Sequence, residues 1–211
     1  MDATEPAVPD TPKKRGGPRG SYAKTEATRK AILEAALEVF AQGGYRSGSL
    51  REVALLVGMT EAGLLHHFPS KANLLAAVLD LRDEHAYELV PLDQAGEATI
   101  RGLVDLARYN ASVPGVVELY CVLSAEATSP DHPAHEYFVR RYKQTRHWVD
   151  SAFTQLALEG KLAPGVQPEG ASKATIALMD GFQVQWLLDR SSIDMADELL
   201  DYFKRVTTLE W

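Results

Sequence analysis

"SLREVALLVGMTEAGLLHHFPSK", Ser49 to Lys71, holds two helix-start signals and an internal glycine. Its apolar residues suffice for two short helices and the start of a third. Ser49 and Glu52 make an S-x-x-E capping box, in which the hydroxyl accepts from the backbone at Glu52 and the carboxylate reaches back. A short helix carrying Val53, Leu56 and Val57 follows, and Gly58 breaks it where the chain must turn sharply. Thr60 can cap a second short helix. Ser70 can cap a longer third one, with Pro69 marking the boundary before it. Helix, tight glycine turn and short second helix form the pattern of a helix-turn-helix. Helices this short are marginal alone. Here they are expected to pack Val53, Leu56, Leu64 and Phe68 against Phe40, Leu37 and Leu33. Held in that way, the second helix can lie in the major groove of DNA, which is wide enough for one helix.

The polar residues suit that role. Arg51 and Lys71 fall near helix N-termini, where backbone N–H groups and the helix dipole attract phosphate. His66 and His67 end the second helix and can donate to phosphate oxygens. Ala62 and Gly63 are small enough for close approach to base edges, and Thr60 can touch a base or a thymine methyl. Each position has a plainer use: solvated or carbonyl-capping histidines, a surface ion pair for Arg51, a simple cap for Thr60. Taken singly the plainer uses are at least as good. Taken jointly, with a basic segment just upstream, the nucleic-acid reading is the better one.

That segment runs from Thr11 to Lys30, where Lys13, Lys14, Arg15, Arg19, Lys24, Arg29 and Lys30 face only Glu26. Residues 1–20 are rich in proline and glycine with almost nothing apolar, and read as a disordered basic arm whose Lys14, Arg15 and Arg19 can meet a polyanion. The chain after Lys71 is acidic, and the net charge of −7 argues against indiscriminate coating of nucleic acid. The single cysteine, Cys121, leaves no internal disulfide and no Cys-based metal framework. The chain starts without an apolar signal core and has no apolar run long enough to span a bilayer. The expected setting is the cytoplasm, with no membrane partner.

Around the opening stretch the periodicity is helical throughout. Ile32, Ala36, Val39 and Phe40, widened by Leu33 and Leu37, predict a helix over about 22–42, with Gly43 and Gly44 as its C-cap. Leu74, Leu75, Val78, Leu79 and Leu81 continue the pattern to about Leu89. Further helices are expected at roughly 97–112, 116–127, 133–159, 171–189 and 193–207, separated by turn chemistry such as "SPDHP" at 129–133 and "APGVQPEG" at 163–170. Strand-like alternation is missing. The predicted fold is all-α: a three-helix helix-turn-helix domain over 21–69 and a larger helical bundle over 70–211.

The residues from Thr28 to Leu81, and "ILEAALEVFAQGGYRSGSLREVALLVGMTEAGLLHHFPSKANLL" above all, resemble the N-terminal DNA-binding domain of the TetR family of bacterial transcriptional regulators. Ala35, Phe40, Gly44, Val53, Ala54, Gly58, Leu64, His67, Phe68, Lys71 and Leu75 fall where the family pattern has such residues. Beyond Leu81 the likeness is one of architecture, with "MDGFQVQWLLD" similar to a segment of some actinobacterial and betaine-type members. The resemblance implies a homodimer on a palindromic operator, usually a repressor, released by a small-molecule effector of unknown identity. It implies DNA contacts from Arg51, Thr60, Glu61, Ala62, Gly63, Leu65, His66, His67 and Lys71. Two positions depart from it. Leu65 stands where the family usually has tyrosine and lacks a phosphate-directed hydroxyl. Glu61 stands where a lysine, glutamine or small polar residue is common. It cannot favour phosphate, though it can accept from cytosine N4.

In the larger bundle, Ile176, Met179, Trp186 and Leu187 mark one apolar face, and Met195, Leu199, Phe203 and Val206 another. Such faces can fill the chain's own core. For a helix-turn-helix protein, pairing about a two-fold axis is the better reading, with Ile176, Met179, Leu187, Leu199, Phe203 and Val206 at the interface and Gly181 admitting a neighbouring helix. By analogy with the fold, Tyr109, Tyr120, Phe138, Tyr142, Trp148, Phe182, Gln183 and Trp186 are expected around an effector pocket, although for any single aromatic a filled core is the plainer use.

Other classes of function are weaker. "HEYFV" at 135–139 begins like a zinc-protease helix, but Val139 replaces the second histidine. P-loop, dinucleotide-binding and nucleophile-elbow motifs are missing, so no enzyme activity and no cofactor is expected. Asp131, His132 and His135 suit a capped, solvated helix entry better than a metal, and no metal site is expected. The alternative to an operator-specific regulator is a helical interaction module whose basic arm binds anionic partners without sequence preference.

Overall fold

The computed structural model describes residues 18–91 and 94–211, with the side chains of 18–24, Gly43, Gly44, Arg46 and His85 outside that description. The described chain is helical: α1 Pro18–Ser47, α2 Leu50–Leu56, α3 Glu61–His67, α4 Lys71–Leu89, α5 Glu97–Ser112, α6 Pro114–Glu126, α7 His135–Leu158, α8 Pro168–Leu188 and α9 Met195–Val206. Among the described residues no strand forms; a single antiparallel bridge joins Leu162 to Thr207. The all-α architecture with an amino-terminal helix-turn-helix is therefore as the sequence predicts.

The caps act as their chemistry requires. Ser49 and Glu52 make the reciprocal capping box of α2. Gly58 takes φ +68°. Around it the Gly58 N–H donates to the Leu55 carbonyl at 3.1 Å and the Met59 N–H to the Ala54 carbonyl at 2.9 Å, a Schellman ending that a Cβ would strain. Thr60 Oγ1 accepts from the Gly63 N–H at 3.1 Å, and Ser70 Oγ from the Asn73 N–H at 3.1 Å.

Two local expectations are corrected. First, α1 does not stop at Gly43 but continues through both glycines to Ser47. The extra turn carries Tyr45 onto the core, with its ring 6.1 Å from Phe40 and 5.2 Å from His132. Glycine permits a left-handed cap without imposing one, and packing decided otherwise. Second, Leu56 is 55 % exposed. The inward face of α2 is centred between Val53 and Ala54, with Leu50 and Val57 flanking it, which turns Leu56 outward.

Two clusters of buried side chains make up the core. The first gathers Ile32, Ala36 and Phe40 of α1, Val53, Leu64, Phe68, and Leu74, Leu75, Val78 and Leu79 of α4, and runs on into Leu119, Tyr120 and Leu123 of α6 and Phe138 of α7. The second joins Ile100, Leu103 and Val104 of α5 to Val149, Phe153 and Leu156 of α7, Trp186 of α8, and Leu199 and Phe203 of α9. Helix α1 packs against α4 and α6, α5 against α9, and α7 against α8. At Gly102 α5 comes so close to the end of α4 that a Cβ would lie 2.9 Å from Pro91 Cδ and 3.0 Å from the Leu89 carbonyl oxygen. The carboxyl-terminal residues close the second cluster, with Trp211 stacked on Phe203 and the Arg101 guanidinium 4.8 Å from the Trp211 ring.

This packing corrects the interface expected on α9. Leu199 and Phe203 are fully buried within the protomer. They are the partners that the apolar face of α5 requires, so they cannot meet a second copy.

Candidate nucleic-acid interface

Helix α3 has only seven residues, and only Leu64 is buried among them. It is fixed from both ends and from behind. Thr60 caps its start, Leu64 is inserted into the first cluster, and Phe68, just past its end, is 2 % exposed. Arg29 of α1 adds a fastening that sequence reasoning missed. Its guanidinium lies 4.3 Å from the centroid of the Phe68 ring and donates to the His67 carbonyl at 2.8 Å. One side chain thereby satisfies a terminal carbonyl of α3 and covers an aromatic face. The two residues are 38 positions apart, so no local pattern could have signalled the pair.

The opposite side of α3 is open. Thr60, Glu61, Ala62 and His66 are exposed, and Gly63, Leu65 and His67 are half-buried. The His66 and His67 rings meet edge to face at 5.8 Å. At Gly63 an added Cβ would sit 3.4 Å from Thr60 Oγ1 and 4.0 Å from Met59 Cβ, ordinary contacts, so nothing inside the protein demands glycine there. Arg51, at the start of α2, is exposed on the same domain.

Lys71, the first residue of α4, is half-buried, its ammonium 4.6 Å from the Tyr45 ring centroid and 6.0 Å from that of Phe40. Burial lowers its pKa, and the charge of Glu126 partly offsets that effect. Of the basic arm, Lys14 and Arg15 lie outside the described residues, and Arg19 falls in α1 with its side chain outside the description.

The eight residues expected around an effector pocket are dispersed. Tyr120, Tyr142 and Gln183 line one chamber between α4, α5, α6, α7 and α8. Tyr109 lines a second chamber, whose walls include Lys30, Glu34 and Leu37 of α1. Trp148 lines a shallow cleft near Tyr87, and Phe182 a narrow gap against Met195. Phe138 packs in the first cluster and Trp186 in the second.

Sequence reasoning also missed the charged floor of the first chamber. Asp83 pairs with Arg82 at 3.1 Å, pairs with Arg141, and accepts from the Tyr137 hydroxyl at 2.6 Å. Both guanidinium groups lie over the face of Tyr120, at 4.2 and 5.4 Å. Across the chamber the Tyr142 hydroxyl donates to Asp180 at 2.7 Å, and burial raises the Asp180 pKa. Burial, with the nearby Asp180 charge, pushes the Cys121 thiol up to about 11, so it is not a thiolate nucleophile at neutral pH.

Of the residues expected at a dimer interface, Ile176 and Met179 line the first chamber, while Leu187 and Val206 are half-buried. The exposed apolar residues of α8 are instead Val184, at 48 %, and Leu188, at 83 %. With Ala177 and Gly181 they follow a 4-3-4 spacing, the period of a helix-pairing seam, and nothing lies within 4 Å of a Cβ built on Gly181.

His132 and His135 are engaged in the α6–α7 turn. His132 is buried, its Nδ1 accepting from the Ala134 N–H at 3.2 Å and its Nε2 3.3 Å from Glu126 Oε2. His135 Nδ1 lies 2.8 Å from the Ala127 carbonyl. Among the described residues no group of three His, Cys, Asp or Glu could hold a metal, and no helix is long and apolar enough to cross a membrane.

Known proteins share this geometry. Residues 32–78 match the family model for bacterial regulatory proteins of the tetR family, and residues 121–204 that for the carboxyl-terminal part of BetI-type transcriptional repressors. The uncharacterized HTH-type transcriptional regulator TtgW of Pseudomonas putida is 33 % identical over 92 residues, which cover 41 % of this chain and 68 % of that protein. The HTH-type transcriptional regulator RutR of Escherichia coli is 47 % identical over 53 residues, only a quarter of either chain. Among solved structures, NalD, the secondary repressor of the MexAB-OprM multidrug efflux pump in Pseudomonas aeruginosa, superposes with a TM-score of 0.66 at 26 % identity, covering 87 % of this chain and 97 % of its own.

Proposed function

The chain belongs to the TetR family of bacterial transcriptional regulators, a family of helix-turn-helix DNA-binding proteins rather than of enzymes, and from that premise we propose that it is a homodimeric cytoplasmic repressor that leaves a palindromic operator when a small molecule binds. The observation that carries this is the state of α3. Leu64, Phe68 and Arg29 hold it from behind, and Thr60, Glu61, Ala62 and His66 are exposed on its outer side. In this scheme Thr60, Glu61, Ala62, Gly63 and Leu65 meet base edges. Arg51, His66, His67, Lys71 and the arm residues Lys14, Arg15 and Arg19 meet phosphate. The chain divides into the arm over 1–20, the DNA-binding domain over 21–69 and the effector and dimer domain over 70–211. The seam of Ala177, Gly181, Val184 and Leu188 on α8 pairs the two copies. Repression is supported by the likeness to NalD, which is described as a repressor.

A difference in effector affinity between two domain orientations is enough to drive release. The first core cluster supplies a path, since it runs without a gap from Leu64 through α4 to Leu123 and Phe138.

The test is selection of random duplexes on the full-length protein, followed by a release screen with small molecules on the selected duplex. A palindromic consensus, with affinity falling steeply as salt rises, is expected. Equal binding to every duplex would overturn operator specificity.

A further inference from the structure

The first chamber has a chemistry that restricts what can enter it. Two of its largely buried polar side chains have hydrogen-bonding capacity to spare. Asn110 is 4 % exposed and makes no side-chain hydrogen bond among the described residues. Gln183 is 5 % exposed, and its only side-chain hydrogen bond among the described residues is a long one, from Cys121 Sγ to Oε1 at 3.8 Å. The Nε of Arg141 is likewise buried without a hydrogen-bond partner. The buried Arg141 donor is costly in this state, and a ligand that completes it gains accordingly. The vacant Nε–H of Arg141 is a donor only, and the amides of Asn110 and Gln183 each bring two N–H donors beside one acceptor oxygen. Opposite them Leu103, Leu106, Ile176 and Met179 supply an apolar wall.

The charge balance points the same way. An organic cation is held by the open face of an aromatic ring or by an unpaired carboxylate. Here the face of Tyr120 is already covered by Arg82 and Arg141. Asp83 is engaged by both guanidinium groups, and Asp180 accepts from Tyr142. Among the described residues Asp180 is the chamber's carboxylate without a cationic partner, and burial disfavours its charged form, so a cation would meet two guanidinium groups and only a weakened counter-charge.

We propose that this chamber, the effector site of the reading above, takes an amphipathic small molecule with a hydrogen-bond-accepting, uncharged or anionic head and rejects organic cations. The head lies against Asn110 and Arg141 and the apolar body against Leu106 and Met179. Asn110 and Arg82 also line the second chamber, whose far wall is Lys30, Glu34 and Leu37 of α1. A head group that draws on Asn110 therefore acts at the boundary with the helix that holds α3.

Three probes with the same phenyl body and a cation no bulkier than the other heads test this: 4-phenylbutyrate, 4-phenylbutyramide and 4-phenylbutylammonium. Each is titrated at up to millimolar concentration into the full-length protein without DNA, and thermal unfolding and heat of binding are followed. The carboxylate and the amide are expected to raise the unfolding temperature, and the ammonium to leave it unchanged. Asn110→Leu, with its fold checked by circular dichroism, is expected to lose the carboxylate response at least tenfold. Gln183→Leu gives an independent check should the first variant not fold. Stabilisation by the ammonium equal to or greater than that by the carboxylate, or no response to any of the three, would overturn the assignment. So would undiminished carboxylate binding in the folded variants. DNA release is scored separately. Binding without release would leave the ligand class standing and contradict the effector mechanism.

Discussion

The outer side of α3 and the chamber under Asn110 are built in opposite ways. The first is assembled from a stretch of some twenty residues, with its caps at Ser49, Thr60 and Ser70 all satisfied locally. Its side chains Thr60, Glu61, Ala62 and His66 are exposed. The second draws on five helices, from Arg82 to Gln183, and its polar side chains point inward onto one another. A surface made for a partner as regular as DNA needs only a rigid, outward platform. A chamber for a small molecule needs side chains that converge from distant parts of the chain.

The largest expected effect breaks the platform. Phe68→Ala removes a buried ring that also receives the Arg29 guanidinium, at a cost of about 3–5 kcal/mol. Urea unfolding should show the loss, and operator binding should disappear with it. If binding survived at normal affinity, α3 would not depend on its backing.

Lys71→Ala and Thr60→Ala separate the two kinds of contact on that platform. The first should weaken binding to all duplexes alike and lower the slope of log affinity against log salt by about one. The second should cost about 1 kcal/mol of stability through the lost cap, and should shift preference at one base position by about 1–3 kcal/mol. Quantitative shift assays on the selected duplex and on its single-base variants distinguish them. A uniform effect of Thr60→Ala would remove it from base readout.

Gly63→Ala sharpens the contrast further, because the protein itself has room for the methyl group. Stability should hold or rise by up to about 1 kcal/mol, while operator affinity falls by roughly tenfold, about 1.4 kcal/mol. Unchanged affinity would mean that the backbone of α3 does not come close to the bases.

The smallest effect belongs to the chamber. Burial raises the folded-state pKa of Asp180, so its ionisation costs more in the folded chain than in the unfolded one. Stability relative to Asp180→Asn should therefore fall as pH rises from the ordinary carboxylate range through the folded pKa, and level off above it. Urea midpoints across pH would show this as diverging curves, and parallel curves would contradict it.

The same contrast explains what could be read from the sequence. The signals for α2, α3 and the start of α4 are caps and a glycine turn whose bonds join near neighbours in sequence, and they are visible in one line of text. The Arg29–His67 bond and the Arg82–Asp83–Arg141 cluster join residues far apart in sequence, and periodicity carries no trace of them. The face of α9 was legible as apolar but not as to its partner. Leu199 and Phe203 look alike whether they meet a second copy or α5, and only the demand of α5 for a covering helix decides it. Gly43 and Gly44 show the reverse case, a strong local stop signal overruled because Tyr45 gains the core.

Hydroxyl-radical footprinting of the full-length protein on its selected duplex tests the central claim most directly, that two copies each lay the outer side of α3 against the bases. Two protected patches on one face of the duplex, centred about 34 Å apart, are expected, with both weakened together by Thr60→Ala. A single patch, or protection spread evenly along the duplex, would contradict it.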